Sequence, residues 1–279
     1  MILILSILFR VEAGRVEIRD DVKYYLDGVR IEAGDYTIRG ENGWMKGNKF
    51  FLEGRIEIKG KKTEIYGERV EYVRKKGGWV KDSMRIKGEI EGRCDSLFFS
   101  RPDSVVWMYG NVKINLENAT FSGNEGFYRI KEKKAVLYGD VKYKRLSPET
   151  IFITSDTVIY LHSDSSFTFR GDARAKRRDI EAFGGEIFYK DSLALVLENP
   201  GMAEKDDTLR GDTLYLFISS GVDSVVAVNG KGIYVEEKGE NRVEGRRIVV
   251  HIKEGKTEKV VVTGEAEGCY SETESRGTR

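Results

Sequence analysis

Two short phrases recur along most of this chain and constrain its fold more than any other feature. One is apolar-x-Gly-x-Val-x-apolar, as in YGDVKY at residues 138–143, and the other is Gly-Asp-x-Leu-x-apolar, as in GDTLYL at residues 211–216. Both alternate apolar and polar residues with period two, the pattern of a strand, and a glycine near the start permits a bend or bulge because it has no Cβ. The phrases therefore predict a stack of similar strand units.

The glycines of both phrases recur at similar intervals along the chain, which supports a repeat. In the first phrase they are Gly54, Gly88, Gly110, Gly139, Gly171, Gly201, Gly230 and Gly264. In the second phrase the equivalent positions are Gly67, Cys94, Gly123, Ser155, Gly184, Gly211 and Gly245. Both series have a period of about 30 residues, which is typical of repetitive stacks in which each unit buries its face against its neighbours.

The composition agrees with strands and gives no bulk attraction to nucleic acid. The 279 residues include 31 glycines, 14 tyrosines and 13 phenylalanines but only 3 prolines, a balance that suits strands and tight turns. The 47 basic and 46 acidic residues leave a formal charge of +1, so we expect no nucleic-acid partner. We find no linker and predict one continuous domain over residues 14–270, followed by a polar tail at 271–279.

The N-terminal residues predict export. Residues 2–9 read ILILSILF, and Ala13 follows at a position suited to cleavage. The run is too short to span a bilayer, which needs about 20 apolar residues, and it resembles the hydrophobic part of a signal peptide without the positively charged start. We expect residues 1–13 to be a signal peptide; a buried first strand is the alternative.

Histidines and cysteines are too few and too scattered to predict a catalytic or metal site. His162 and His251 are expected at a turn and on an outer face, and with Cys94 and Cys269 they supply no obvious zinc ligand set or triad. We predict no catalytic residues, no metal and no cofactor. Two free thiols are favoured for the cysteines, although an exported protein could also pair them in a disulfide.

Aspartates recur with the repeat at Asp140, Asp172 and Asp212. Repeated acids on a stack could bind calcium or cleave sugars. We favour a structural role instead, in which each aspartate sits in a turn and hydrogen-bonds its own backbone.

The apolar positions of both phrases predict a shared interior. They lie two and four places after the first glycine, and three and five places after the second, with charges such as Lys113 and Lys142 between them. Because strand side chains alternate, these positions line one side of the stack. We call them the interior series: Val70, Tyr72, Leu97, Phe99, Val112, Ile114, Val141, Tyr143, Val158, Tyr160, Ile187, Tyr189, Leu214, Leu216, Ile248 and Val250.

These paired phrases resemble the LptA/OstA-like family of lipopolysaccharide transport proteins, which includes LptA, LptC and the N-terminal domain of LptD. The clearest stretch is residues 135–169, and VVWMYGNVKI at 105–114 and LRGDTLYLF at 209–217 follow the same pattern. The resemblance covers roughly residues 25–268 and departs from the family where Cys94 and Ser155 replace the second glycine. It implies an all-β fold: a repetitive, open, twisted β-jellyroll of two facing antiparallel sheets.

The resemblance also implies a function. A member of this family is expected to be a non-enzymatic periplasmic lipid carrier in outer membrane biogenesis, exported and in some cases associated with the outer membrane. Acyl chains of lipopolysaccharide or another envelope lipid would lie against the interior series, where each buried CH₂ contributes about 0.8 kcal/mol. Expected protein partners are related jellyroll proteins (LptC-like or LptD-like) or a second copy, joined head-to-tail through end strands to bridge the inner and outer membranes.

Two other functions remain as alternatives. A structural β-repeat scaffold of the envelope would have a sealed, tightly packed interior. A β-helix enzyme acting on polysaccharide would need several acidic residues converging on one outer face.

Overall fold

The fold is described from a computed structural model, and all of its regular secondary structure is strand. The structure describes residues 10–33, 36–61, 63–73, 76–88, 91–100, 102–146, 150–218, 222–236, 239–253 and 256–272. No helix within these ranges is long and apolar enough to cross a membrane. The predicted signal peptide falls mostly outside them, with Arg10 to Ala13 forming the start of the first strand, and the polar tail falls almost entirely outside them.

The described residues form 22 strands. Their bounds are β1 Arg10–Arg19, β2 Val22–Ala33, β3 Tyr36–Gly40, β4 Asn42–Lys46, β5 Lys49–Lys59, β6 Thr63–Val73, β7 Gly77–Gly88, β8 Glu91–Ser100, β9 Val105–Asn115, β10 Ala119–Arg129, β11 Lys134–Arg145, β12 Ile151–Leu161, β13 Ser166–Arg177, β14 Ile180–Lys190, β15 Leu193–Leu197, β16 Gly201–Glu204, β17 Asp207–Arg210, β18 Thr213–Ile218, β19 Val222–Glu236, β20 Gly239–Lys253, β21 Lys256–Thr263 and β22 Glu267–Glu272. The prediction of an all-β fold is therefore confirmed.

The chain divides into two compact units, residues 1–139 and 140–279, and each is described by itself. Whether 14–270 acts as one continuous domain stays a prediction. In the first unit, β1 pairs with β2, β2 with both β3 and β4, and both of these with β5. From β5 to β10 each strand then pairs with the next.

In the second unit β12, β13 and β14 pair in sequence, after which the strands are split into short segments. β14 pairs with β15 and β16, β15 with β18, and β16 with β17. β17 and β18 both pair with β19, which pairs with β20, and β20 pairs with β21 and β22. All these ladders are antiparallel, which excludes the parallel coil of a β-helix from the described residues and confirms the antiparallel jellyroll.

Most strands are bulged or broken near the middle, and most first-phrase glycines lie at these points. Gly88 is the exception: it ends β7, whose bulge is at Asp82 and Ser83. In β5 the register with β6 shifts between Glu53 and Ile56, where Gly54 and Arg55 have φ of 79° and 40°. In β13 the same pair is Gly171 and Asp172, with φ of 78° and 41°. Two consecutive left-handed residues bend a strand, so alternate strands such as β5, β9 and β13 turn a corner at the midpoint, and the strands between them follow through register shifts.

The turn positions predicted for the repeated aspartates are wrong. Asp140 and Asp172 have positive φ and lie inside β11 and β13, at the midpoint bulges. Asp212 lies at the break between β17 and β18 and accepts a hydrogen bond from Asn229 Nδ2 at 2.7 Å. Aspartate and asparagine tolerate the left-handed region, so the sequence signal for a turn and for this bulge is the same.

The second-phrase glycines provide space for the neighbouring strand. Gly184 in β14 lies opposite Ala173, just past the β13 bulge. A Cβ on Gly184 would lie 2.5 Å from the backbone oxygen of Leu197 in β15, so a larger residue requires the backbone to move. Where the phrase carries a small polar residue, the side chain turns back instead: Ser155 Oγ donates to the carbonyl of Thr157 at 2.9 Å.

We predict that Gly184→Ala lowers the free energy of unfolding by roughly 1–3 kcal/mol, because overpacking against a backbone atom cannot be relieved by a side-chain rotation. The matched control is Gly268→Ala in β22, where a Cβ would meet nothing closer than 3.8 Å. Urea unfolding should show no loss for the control beyond about 0.5 kcal/mol. Equal stability of the two variants would contradict this account of the second-phrase glycine.

Candidate functional site

The structure buries the whole interior series. All of its members have a relative accessibility of 8% or less, and several, such as Val112, Ile187 and Leu214, are fully buried. The charged residues between them, such as Lys113 and Lys142, point the other way and are partly or fully exposed. Burial is common to a packed core and to a lipid groove, so lipid contact by these residues stays a prediction.

The first unit contains an apolar cavity of about 90 Å³. Its walls come from opposite sides of the midpoint bends. One wall holds Ile31, Ile38, Ile58 and Ile65, and the other holds Phe50, Val70, Tyr72, Val80, Leu97 and Phe99. The cavity therefore lies between the two facing halves of the bent strands, and four members of the interior series line it.

The isoleucine wall was not among the predicted site residues. Ile58 stands four places after Gly54, a position that the forward count already marks as inward. Ile65 stands two places before Gly67, and Ile38 stands two places before Gly40, a glycine outside both series. The period-two alternation runs through the bend and places apolar residues on the inner side of both half-strands, so reading backward from Gly67 would have added Ile65.

Tyr72, which lines the apolar cavity, also has a polar atom. Its hydroxyl is buried and has no hydrogen-bond partner among the described residues. Tyr189, at the equivalent position of a later repeat in the second unit, has a buried hydroxyl in the same situation. A buried donor without a partner costs roughly 1–3 kcal/mol, so each hydroxyl is a ready donor for a ligand that enters beside it.

The interior of the second unit is more closely packed. Tyr143 follows the β11 bend, whereas Phe167 and Phe169 precede the β13 bend, and the Tyr143 ring lies 5.0 Å and 5.4 Å from theirs between centroids. These contacts join the two facing halves directly. An apolar cavity in this unit, which is lined by Ile187 and Tyr189 among others, has a volume of about 30 Å³.

The histidines and cysteines lie apart from these interiors or are inert. His162 and His251 are exposed. Both cysteines are free thiols; Cys269 is exposed, while burial raises the pKa of Cys94 to about 12 and its Sγ donates to the Ser96 carbonyl at 3.2 Å. Over the described ranges no group of three or more His, Cys, Asp or Glu side chains is placed to hold a metal ion.

Comparison with known proteins gives a likeness to solved structures and none to a family or a curated protein. No family model and no curated protein matches this chain. Among solved structures the chain is similar to LptH, the LptA-homologous periplasmic component of the lipopolysaccharide transport device of Pseudomonas aeruginosa. The identity is 17%, the TM-score is 0.25, and the match covers 47% of this chain and 82% of that one. The function is therefore argued from the interior of the protein.

We predict that the free energy of unfolding decreases at alkaline pH because the buried Tyr143 hydroxyl ionises. Burial raises the pKa of its hydroxyl from 10.0 to about 12, outweighing the opposite effect of Arg145. The unfolded chain releases this proton at lower pH than the folded chain, so the stability contributed by the neutral hydroxyl is complete below pH 10 and is lost as the pH rises toward about 12.

The measurement is urea unfolding at about pH 9 and about pH 11, on either side of the ordinary tyrosine pKa. Tyr143→Phe keeps the ring contacts and removes the ionisable group, so its stability should fall less between the two values than that of the unmodified protein. An equal fall in both proteins would show that the alkaline loss arises elsewhere.

Proposed function

We propose that this protein is a non-enzymatic carrier that holds the acyl chains of an envelope lipid in its apolar interior. The observation that carries the proposal is the cavity of the first unit, which lies between two apolar walls, one of them holding Tyr72 with a buried hydroxyl that lacks a partner among the described residues. Apolar walls with few polar groups are the usual lining of a site for an apolar ligand. The proposed ligand is lipopolysaccharide or a related lipid, and the proposed location is the periplasm.

The size of the cavity sets how a lipid would enter. At about 90 Å³ it is smaller than the engineered cavity of about 150 Å³ that binds benzene, so a whole acyl chain requires the walls to separate. Each CH₂ that then leaves water contributes about 0.8 kcal/mol and offsets the wall-to-wall contacts that are lost. Because Tyr143 joins the walls of the second unit, we expect the first unit to admit lipid more readily.

The end strands support head-to-tail assembly with a second copy or with a related jellyroll protein. In the described ladders β1 pairs only with β2, and it exposes Val16 and Ile18, which are 52% and 68% accessible. In the second unit β21 and β22 pair only with β20 among the described strands. Unpaired backbone groups along such edges can pair with the edge of another sheet and extend the interior from one molecule to the next.

A photo-crosslinking experiment tests lipid binding with a matched pair of sites in β6. We predict that a benzophenone side chain at Tyr72, which faces the cavity, forms an adduct with added lipopolysaccharide or with a fatty acid. The same probe at Tyr66 should not, because Tyr66 lies on the outer face and donates to Glu64 Oε2 at 2.6 Å. Adducts are read by mass spectrometry of the intact protein.

Either of two results would overturn the carrier. An adduct at Tyr66 with none at Tyr72 would place lipid on the outside of the sheet. No adduct at either site, together with no lipid recovered from the purified protein, would favour the structural scaffold, whose interior serves only stability.

A second prediction is that removing the Tyr72 hydroxyl increases the stability of the lipid-free protein but weakens lipid binding. Tyr72→Phe removes a buried donor without a partner, so the lipid-free protein should become more stable by about 1 kcal/mol. If the hydroxyl donates to an ester, amide or carboxyl oxygen of the lipid, the same change should weaken binding of a fluorescent fatty acid several-fold. Urea unfolding and fluorescence titration measure the two effects, and Tyr66→Phe, which removes an outer hydroxyl, is the control.

A further inference from the structure

The outer face of the first unit differs between the two halves of its bent strands. On one half, residues in direct cross-strand register form an aromatic row: Trp44, Phe51, Trp79, Phe98, Trp107 and Phe127. Only Glu71, between Phe51 and Trp79, interrupts it. Since registered residues point to the same side, the row forms one continuous strip across β4 to β10.

Neighbouring rings of the row contact one another on either side of Glu71, and all except the buried Phe127 remain partly accessible. Centroids lie 5.7 Å apart for Trp44 and Phe51, and 4.9 Å apart for Trp79 and Phe98. Trp107 keeps 37% of its surface accessible. These rings alternate with interior residues such as Leu97 and Phe99 along the same strands, so the sheet is apolar on both sides here.

The other half of the same strands has the usual solvated outer face. There the registered row runs through Arg39, Glu57, Tyr66, Arg85, Arg93 and Lys113. Strands with one buried face normally carry polar residues on the other, as this half does. The aromatic row is therefore a property of one half-sheet and not of the strands as such.

Exposed lysines stand at the hairpin ends next to the aromatic row. Lys46 and Lys49 end β4 and begin β5, and Lys76, Lys131 and Lys133 lie in connections at the same end. The acids of the described connections there are Asp20, Asp21, Asp103 and Glu132. The charge that distinguishes this end is therefore the facing pair Lys46 and Lys49.

Two details show that the charges near the row favour an anionic partner. Lys46 and Lys49 are direct cross-strand partners, an arrangement of like charges that is unfavourable unless an anion lies close by. The acid that interrupts the row, Glu71, accepts a hydrogen bond from Lys81 Nζ at 3.0 Å, and this ammonium also lies 5.8 Å from the centroid of the Trp79 ring.

We propose that this outer face of the first unit binds an anionic lipid surface, with the aromatic row at the level of the headgroups and the lysine ends against phosphates. Tryptophan is favoured at membrane–water interfaces because its ring is apolar and its N–H is polar. Basic residues close to an anionic membrane each contribute about 1 kcal/mol of attraction. Phe50 and Phe99, which line the cavity, lie beside Lys49 and Ser100 at this same end, so binding would bring the cavity close to the lipid.

The three tryptophans of the chain, Trp44, Trp79 and Trp107, all belong to the aromatic row. Trp79 also borders the cavity, so a shift in tryptophan emission is read together with cosedimentation. The experiment adds vesicles of phosphatidylglycerol and phosphatidylethanolamine to the full chain and compares them with phosphatidylcholine vesicles. Anionic vesicles should cosediment with the protein and shift its tryptophan emission to the blue, while phosphatidylcholine vesicles should do neither.

The matched variants change charge equally on the two outer faces. Lys46→Glu with Lys49→Glu should weaken binding to anionic vesicles at least about tenfold. Arg85→Glu with Arg93→Glu, on the solvated face, should weaken it less than about threefold. All four side chains lie on outer faces, so the variants should fold, and circular dichroism checks that they do. Trp107→Gln, which keeps every charge, should also reduce binding.

This inference is separable from the lipid-carrier function, because vesicle binding does not require a chain to enter the cavity. A benzophenone at Tyr72 that fails to capture lipid, with vesicle binding intact, would overturn only the carrier. If both pairs of charge changes weakened vesicle binding equally, binding would depend on the net charge of the protein and not on this face, and the proposal would be wrong. The proposal would also fail if no vesicle bound the protein. It would fail as well if the protein proved to be a dimer that Trp107→Gln dissociates while vesicle binding is unchanged, because the aromatic row would then be a contact between two copies.

Discussion

The structure depends on one constraint, the pair of left-handed residues near the middle of many strands. A meander of straight antiparallel strands would give a flat sheet with no enclosed interior. Residue pairs such as Gly54–Arg55 and Gly171–Asp172 instead bend the strands, so that the two halves of a strand face each other. Within each unit this converts a one-layer sheet into two walls, and the same apolar alternation supplies the inner surface of both.

Much of this could be predicted from the residues alone. Period-two alternation fixed the strands, and the glycine period located their midpoints, so Val112 and Ile187 were placed in the interior correctly. Ile65 was missed because the pattern was read in one direction from each glycine, and Ile38 because Gly40 belongs to neither glycine series. The aspartates at the bulges were placed in turns because the residue types favoured at positive φ are the same in both settings.

Other features depend on which strand lies beside which, and a single sequence does not contain that information. Trp79, Phe98 and Trp107 each look like an isolated aromatic on an outer position. Only the register shows that they are direct neighbours. In the same way Tyr143 contacts Phe167 because half-strands on opposite sides of the bends are folded face to face. The second unit, where this contact occurs, has an apolar cavity of about 30 Å³, and the first unit has one of about 90 Å³.

The midpoint bulge also governs how such a chain can change in length. A one-residue insertion between a bulge and a hairpin end would exchange inward and outward side chains along that half-strand, exposing a wall and burying charges. Adding or removing a complete hairpin, with its own pair of left-handed residues, leaves the phase of every other strand intact. Relatives of this protein should accordingly differ by whole numbers of hairpins, with small length changes confined to the loops that join them.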